Sequence, residues 1–473
     1  MGAFYKLGQQ MIRPGTFFRI SNGGGSNVSG AAAGKCAAVF KSNWGPLGVV
    51  VYCSEKTQVE KQYGAHNGNT NLSDVAVQQL KNVTETACIR LGTGGTKASL
   101  AIKDGSVAPG TDVGTLRLKY PGTRPITVSI QENLYNSQLM DIIAYEDTRE
   151  LERLTFSITP NVVDNLRDKV NSESEYFEFT KAADGNGSLK LIAQSALTGG
   201  ADPVITSTDY DNALDVLEPY EWDVLAIDSE DATIFTLVQS YIDAIFQRGK
   251  LVRAAVGQGS SVAYATRLTN LRAFNDFLMQ YCINGFIENG ENIQGYRAAA
   301  RISGLIAAVS APQSLAHYVI KGATGLTENL ESKVDEIISA GGIVFTMSSK
   351  KQVWVESGVN TLVLPDAGFD EGWKKIRRVT TRFEMMKRIN AATEDLIGKV
   401  NNDKNGRSTV KMAAQGVVNS MVKEEKLLEG AQIIENPDFP AQGDSMWFKF
   451  IGDDPDSGEK FYFDFKFRFA PVQ

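Results

Sequence analysis

The chain has 473 residues, 42% of them hydrophobic and 22% charged, with a net charge of −7 and a pI near 5.3. That is enough apolar material for several domains with at least one large core. The acidic total argues against nucleic acid or an anionic membrane surface as the main partner, because both need a basic footprint.

The N-terminus reads as an arm. RPGTFFRI puts an extended segment, Thr16, Phe17, Phe18, Arg19 and Ile20, after the Pro14-Gly15 turn. The opening MGAFYKLGQQMIRPG has no signal-peptide apolar core, so the chain is expected to stay in the cytoplasm or to leave without a cleaved signal. SGAAAGKC at residues 29–36 then imitates a phosphate-binding loop. The chemistry needs G-x-x-x-x-G-K-[S/T], with a hydroxyl after lysine to hold magnesium. Here only three residues separate Gly30 from Gly34, and Cys36 follows Lys35. The segment 22–34 therefore reads as a flexible Gly/Ser/Ala linker.

From 36 to 91 the pattern is α/β: strands at 36–40, 48–52 and 87–91, helices at 55–63 and 73–86. At residue 92 the texture changes. GTGGTKAS opens a run of short strands at 99–103, 115–120, 127–131, 141–146, 151–157, 176–180 and 189–192, separated by turn signals. It closes at LTGGAD. This bracketed module reads as a β barrel or sandwich inserted into the α/β domain. The α/β rhythm then resumes, with helices at 209–217, 231–248, 294–309 and 332–340 and strands at 224–227, 251–256, 343–348 and 353–356. No stretch reaches the ~18 uninterrupted apolar residues of a membrane span; 302–311 is too short and follows Arg297 and Arg301.

Catalytic patterns are absent from the sequence. There is no G-x-S-x-G and no H-E-x-x-H. The four cysteines, Cys36, Cys53, Cys88 and Cys282, form no C-x-x-C pair and read as buried thiols. The only histidines are His66 and His317. No cofactor and no metal site is expected. An α/β enzyme with a small-molecule site near Asp228 or Gly257-Gln258-Gly259 remains the alternative.

Residues 366–428 read as mostly helical. GWKKIRRVTTRFEMMKRIN holds Lys374, Lys375, Arg377, Arg378, Arg382, Lys387 and Arg388 against one acid, Glu384. Trp373, Ile376, Val379, Phe383 and Met386 recur near helical spacing, so the bases should lie largely off a buried stripe. They read as a solvated basic face or as a surface for an acidic protein partner. The tail is β. FYFDFKFRF puts Phe461, Phe463, Phe465, Phe467 and Phe469 on one face of a strand, with Tyr462, Asp464, Lys466 and Arg468 on the other. A second strand at 446–451, with Trp447, Phe448 and Phe450, precedes it across GDDPDSG. A long aromatic strand is an aggregation hazard unless its own sheet or another subunit covers it.

Taken together, RPGTFFRI, SNWGPLGVVV, GTGGTKAS, LKYPGTRPITVSI, LTGGAD, AAARISGLIAAVSAPQSLAHYVI, SGVNTLVLP and DLIGKVNNDKNGR resemble, in order and spacing, the tail sheath proteins of contractile phage tails and related injection machines. Val359 replaces the family's usual isoleucine, and TRFEMM carries Glu384 where an aspartate slightly earlier is usual. The resemblance implies an α/β (mixed α+β) core with an inserted all-β domain and a C-terminal α+β domain with exchanged terminal strands. The implied partition is an arm and linker at 1–34, a core of 35–92 plus 200–350, an insertion at 93–199 and a C-terminal domain at 351–473. It implies a structural subunit, not an enzyme, that forms stacked hexameric rings around an inner tail tube. The rings contract from a metastable state to drive the tube through a cell envelope.

The implied partners are other copies of the chain, the tube protein, and baseplate and tail-terminator proteins, with no nucleic acid and no membrane insertion. The implied location is a virion or tail-like particle assembled in the bacterial cytoplasm; phage and bacteriocin-type sheaths are equally compatible. Residues 16–20 and 461–469 become the exchanged strands, 446–451 part of the receiving sheet, and the bases between Lys374 and Arg388 the tube-facing surface.

Overall fold

A computed structural model describes residues 34–106, 110–309, 313–366 and 369–467, together with the backbone of 3–4 and 17–18. The chain divides into two compact units, one of Ala37–Leu80 and Glu85–Tyr220, the other of Met1–Cys36, Lys81–Thr84 and Glu221–Gln473. Residues 37–80 and 85–92, expected with the α/β core, fall in the same unit as the β module.

In the first unit Val50–Cys53 pairs antiparallel with Thr86–Arg90. Helices Lys56–Tyr63 and Asp74–Leu80 accompany them. The second helix stops six residues short of its expected end. Two antiparallel sheets follow. One orders Phe177–Lys181, Asp112–Leu118 and Ser99–Lys103; the other orders Arg149–Ser157, Leu139–Glu146, Ile126–Glu132 and Ile192–Ala196. Alternation decides which side chains meet: Ile102, Leu116 and Leu118 from one sheet share a cluster with Val128, Ile130, Ile142 and Phe156 from the other. The insertion is β-built as expected, with one addition. Helix Val162–Glu173, capped by Asn161, buries Val162, Val163, Leu166 and Val170 in the same cluster.

The second unit is built on parallel strands ordered Gly342–Ile343, Met279–Cys282, Arg253–Gly257 and Val224–Ile227. Every residue of these four strands is buried, as a sheet covered on both faces requires. Helix Tyr296–Ala308 packs on three of them. Its small residues allow the approach, and Ala298 through Ile306 are all buried. Arg301 is buried within that run, and donates to both carboxylate oxygens of Glu288 at 2.9 and 2.8 Å. Helix Tyr264–Arg272 was not legible in the sequence. The four cysteines are buried free thiols. No described helix is long and apolar enough to cross a membrane.

The end of this unit is a separate layer. A 3-10 turn Glu371–Lys374 leads into helix Ile376–Glu394, and helix Lys404–Lys423 packs against it. Strand Gln432–Glu435 then pairs antiparallel with Phe448–Ile451. The partner of Phe448–Ile451 is upstream, and 461–467 lie in no strand.

Candidate assembly interface

The small sheet Gln432–Glu435/Phe448–Ile451 has just these two strands. Two strands alone are marginal in water, so they need support. Support comes from one face. Ile433 is buried with Met385, Ala414, Val418 and Met421 of the helix pair, and Phe448 and Phe450 pack half-buried against the same cluster. Gln415 of the second helix bridges to the strand at both ends of its amide, accepting from Ile433 N at 2.6 Å and donating to Ala431 O at 3.2 Å. Trp447 is half-buried, and its carbonyl accepts from Asn436 N at 2.9 Å. Both outer edges of this sheet lack a strand partner among the described residues, and such edges are templates for another chain.

The terminal segment carries a row of exposed phenylalanines. Phe461, Phe463, Phe465 and Phe467 are 76%, 75%, 72% and 91% exposed. The rings of Phe463, Phe465 and Phe467 stack in sequence, with centroids 6.2 and 6.3 Å apart. Alternate residues therefore share one side of an extended chain, as the period-two pattern required. Of the expected N-terminal strand, Phe17–Phe18 pairs in parallel with Ala3–Phe4. Thr16, Arg19, Ile20 and, at the other end, Phe469 lie outside the described residues.

The basic stretch needs correction. Arg377 and Arg382 are buried at 6% and 8% exposure, and the bases meet acids or carbonyls of this same chain, Lys387 alone among them being exposed. Lys374 pairs with Glu371 at 2.6 Å. Lys375 pairs with Glu459, and lies 3.6 Å from Asp456. Arg377 donates to the Pro455 carbonyl. Arg378 donates to both carboxylate oxygens of Asp454 at 2.9 Å, and to its carbonyl at 3.0 Å. Arg382 reaches Asp454 at 2.9 Å and Asp370 at 3.1 Å. Lys387 pairs with Asp223. Arg388 pairs with Glu424 and Glu384 at 2.6 Å each. The physical reason is in GDDPDSGEK: this stretch is no hairpin turn but an acidic strap laid along the helix. These residues therefore make a paired seam and not an open, unpaired basic face.

The electrostatics follow from the pairing. Burial works against ionisation of Asp454, yet the Arg378 and Arg382 guanidiniums outweigh it and hold the carboxyl below its ordinary range. Glu459 is held low in the same way, burial being outweighed by Lys375 and the Ser314 hydroxyl. Burial depresses Arg377, whereas for Arg378 the Asp454 carboxylate outweighs burial and raises it. Gly372 makes room for this: a Cβ there would meet the Arg378 guanidinium and the Asp370 carboxylate. The acids were the part that charge counting missed, since Asp454, Asp456 and Glu459 sit more than 70 residues downstream of the bases they bind.

The strand ends near Asp228 hold a satisfied network. Gln258 accepts from Tyr281 Oη at 2.6 Å and Asn270 at 2.9 Å and donates to the Glu230 carbonyl at 2.7 Å. No group of three or more His, Cys, Asp or Glu among the described residues could hold a metal.

Comparison with known proteins agrees with this architecture. The family model for the phage tail sheath protein beta-sandwich domain matches residues 93–202, over the two antiparallel sheets. The model for the phage tail sheath protein central domain matches 204–361, over the parallel sheet. Phage-like element PBSX protein XkdK of Bacillus subtilis (strain 168) is 23% identical over 385 residues, covering 76% of this chain and 75% of its own. The sheath tail protein DSY3957 of Desulfitobacterium hafniense has a similar fold, with a TM-score of 0.70 at 18% identity over 94% of this chain and all of its own. The sheath of the PVC extracellular contractile injection system, solved in its contracted state, gives a TM-score of 0.55 at 10% identity, over 97% of this chain and 98% of its own. Both matched models describe sheath domains, they cover between them more than half of the sequence, and the chain belongs to the phage tail sheath protein family.

Proposed function

We propose that this chain is the structural subunit of a contractile tail sheath, polymerising as stacked hexameric rings around an inner tube. The observation that carries the reading is the exposed phenylalanine row of 461–467 in a chain whose small C-terminal sheet has two edges without a strand partner among the described residues. A subunit that both displays an aromatic strand and offers an open edge is complementary to a copy of itself. The terminal segment 461–469 adds to the sheet of one neighbour, and the N-terminal segment 16–20 extends the mesh to another.

Contraction needs no turnover in this scheme. The extended lattice is metastable, and the free energy lies in the difference between two packings of the same folded bodies. Strand exchange keeps rings connected while those bodies reorient, with the 22–34 linker taking up the motion. The inserted domain 93–199 decorates the outside. Beyond its own copies, the subunit engages a tube protein, a baseplate and a tail terminator, in a virion or tail-like particle assembled in the bacterial cytoplasm.

The experiment is negative-stain electron microscopy of the full chain and of a chain lacking 461–473, each alone and with its tube. The full chain should give striated hollow tubes. The truncated chain should stay folded and give none. Normal tubes from the truncation would end the strand-exchange reading.

A further inference from the structure

The two arms leave the body at different places, and one helix touches both roots. On the C-terminal side, Lys375, Arg377, Arg378 and Arg382 hold Asp454, the Pro455 carbonyl and Glu459, immediately before the phenylalanine row. On the N-terminal side, Lys35 N donates to Asp223 Oδ2 at 2.9 Å, and Asp223 N donates back to the Lys35 carbonyl at 2.8 Å. Gly34 N donates to the Ala307 carbonyl at 3.1 Å. The other oxygen of that Asp223 carboxylate takes Lys387, from the same helix as the C-terminal bases.

We propose that helix Ile376–Glu394 is a common anchor for both arms, its bases being positioning residues that fix each arm's root and pass load between them. The proposal rests on the strand-exchange reading and deepens it. If neighbours hold the two strands, tension on one arm must cross the body to reach the other. The path on offer is short and stiff. Arg378 and Lys387 are nine residues apart, about 13 Å along a helix. The helix cannot slide freely, because Ile376, Val379, Phe383 and Met386 are buried. Arg253 of the parallel sheet also donates to the Ile376 carbonyl at 3.3 Å.

Ion pairs suit this task better than an apolar seam. Two guanidiniums forked on one carboxylate fix direction as well as distance, which apolar contact does not. Several such bonds in parallel also share a shear load. One backbone bond, Leu428 N to the Asp453 carbonyl at 3.0 Å, ties down the start of the strap, and from Asp454 to Glu459 the position depends on these side chains.

The test uses the full chain kept dilute and unassembled, with spin-label pairs read by double electron–electron resonance. The native thiols are buried, so introduced surface cysteines label selectively. Phe461→Cys with Met412→Cys reports the C-terminal root, Lys35→Cys with Met412→Cys the N-terminal one, whose anchoring bonds use the Lys35 backbone, and Ile397→Cys with Met412→Cys controls for folding. Arg378→Gln with Arg382→Gln should at least double the width of the 461–412 distance distribution and leave the control unchanged. Lys387→Met should broaden 35–412 and leave 461–412 narrow.

An unchanged 461–412 width in the glutamine pair, with the control intact, overturns the anchor. If the glutamine pair disturbs the control, the isosteric Asp454→Asn decides: broadening supports the anchor, and an unchanged width overturns it. The readout involves no polymer, so its failure is distinct from a failure of strand exchange, which the 461–473 deletion tests.

Discussion

Charging the middle of the phenylalanine row is the most direct perturbation of the assembly. In the subunit Phe463 and Phe465 are 75% and 72% exposed, so replacing both with lysine removes almost nothing from the fold. Surface changes of that kind usually stay within about 0.5 kcal/mol of neutral, and the melting temperature should hold. Under the proposed strand exchange the same two rings become buried in the polymer. Each is then worth roughly 1.5–3 kcal/mol, and the pair about 3–6 kcal/mol per donated strand. At about 1.4 kcal/mol per factor of ten, the critical concentration for tube formation should rise by roughly 10²–10⁴. The assay is pelleting over a concentration series, with electron microscopy of the pellets. Asp464→Asn, on the opposite face of the strand, removes at most a cross-strand charge contact of about 0.2–1 kcal/mol, and should shift the threshold less than roughly tenfold. Tubes from Phe463→Lys/Phe465→Lys at the wild-type threshold would refute the burial of this row. An equal loss from Asp464→Asn would refute the one-sided geometry.

Asp454→Ala strands two guanidiniums. Breaking a buried pair costs about 3–5 kcal/mol, and because Arg382 keeps Asp370 the expected loss is near the lower end. A double-mutant cycle with Arg378→Ala should give a coupling above ~1 kcal/mol in thermal melting; additive losses would remove the pair from the account. Because the Asp454 and Glu459 carboxyls are held low, their contribution is present above the ordinary carboxylate range and is lost as pH falls through the folded values. The strap should therefore loosen in acid, and Asp454→Asn should flatten that limb of the stability curve. Asp276 acts in the opposite direction: burial, then the neighbouring Asp243, raise it to about 7. Against an unfolded value of about 4, the folded chain holds the extra proton, so this stability is complete below pH ~4 and is lost as pH rises through ~7. Asp276→Asn should raise the melting temperature at pH 8 relative to wild type and remove that slope; an unchanged slope would contradict the assignment.

What the sequence disclosed depended on how local each signal was. The insertion's strands were legible because alternation and turn residues act within ten residues of each other, as at Ser99–Lys103, which matched to the residue. The helix Val162–Glu173 was missed because VVDNLRDKVNSE follows a strand without a composition break; its start signal, Asn161 accepting from Val163 N and Asp164 N, is a single side chain. Tyr264–Arg272 has a polar face and an Ala263 N-cap position without a capping side chain, so neither pattern nor cap announces it. The pairing of Phe448–Ile451 with Gln432–Glu435 was a question of partner choice, which periodicity does not address.

The basic helix shows where one-dimensional reading of charge fails. Lys374 to Arg388, with Glu384 its one acid, and Asp453 to Glu459 are each, alone, a run dominated by one sign, and each run alone suggests solvent or a foreign partner. Their meaning appears only when the chain is folded and Lys375, Arg378 and Arg382 of the basic run pair with Asp454 and Glu459 of the acidic one. The choice between an intrachain strap and an external partner then follows from desolvation. A partner's acid would have to displace Asp454, which sits at 7% exposure between two guanidiniums. Exchanging one buried pair for another gains nothing in Coulomb energy and adds the cost of association. An acidic partner thus has no purchase on Arg378 and Arg382 while the strap is seated. Under the strand-exchange proposal the consequence is a division of labour within the last hundred residues: charge fixes where the arm begins, and the phenylalanine row decides what it binds.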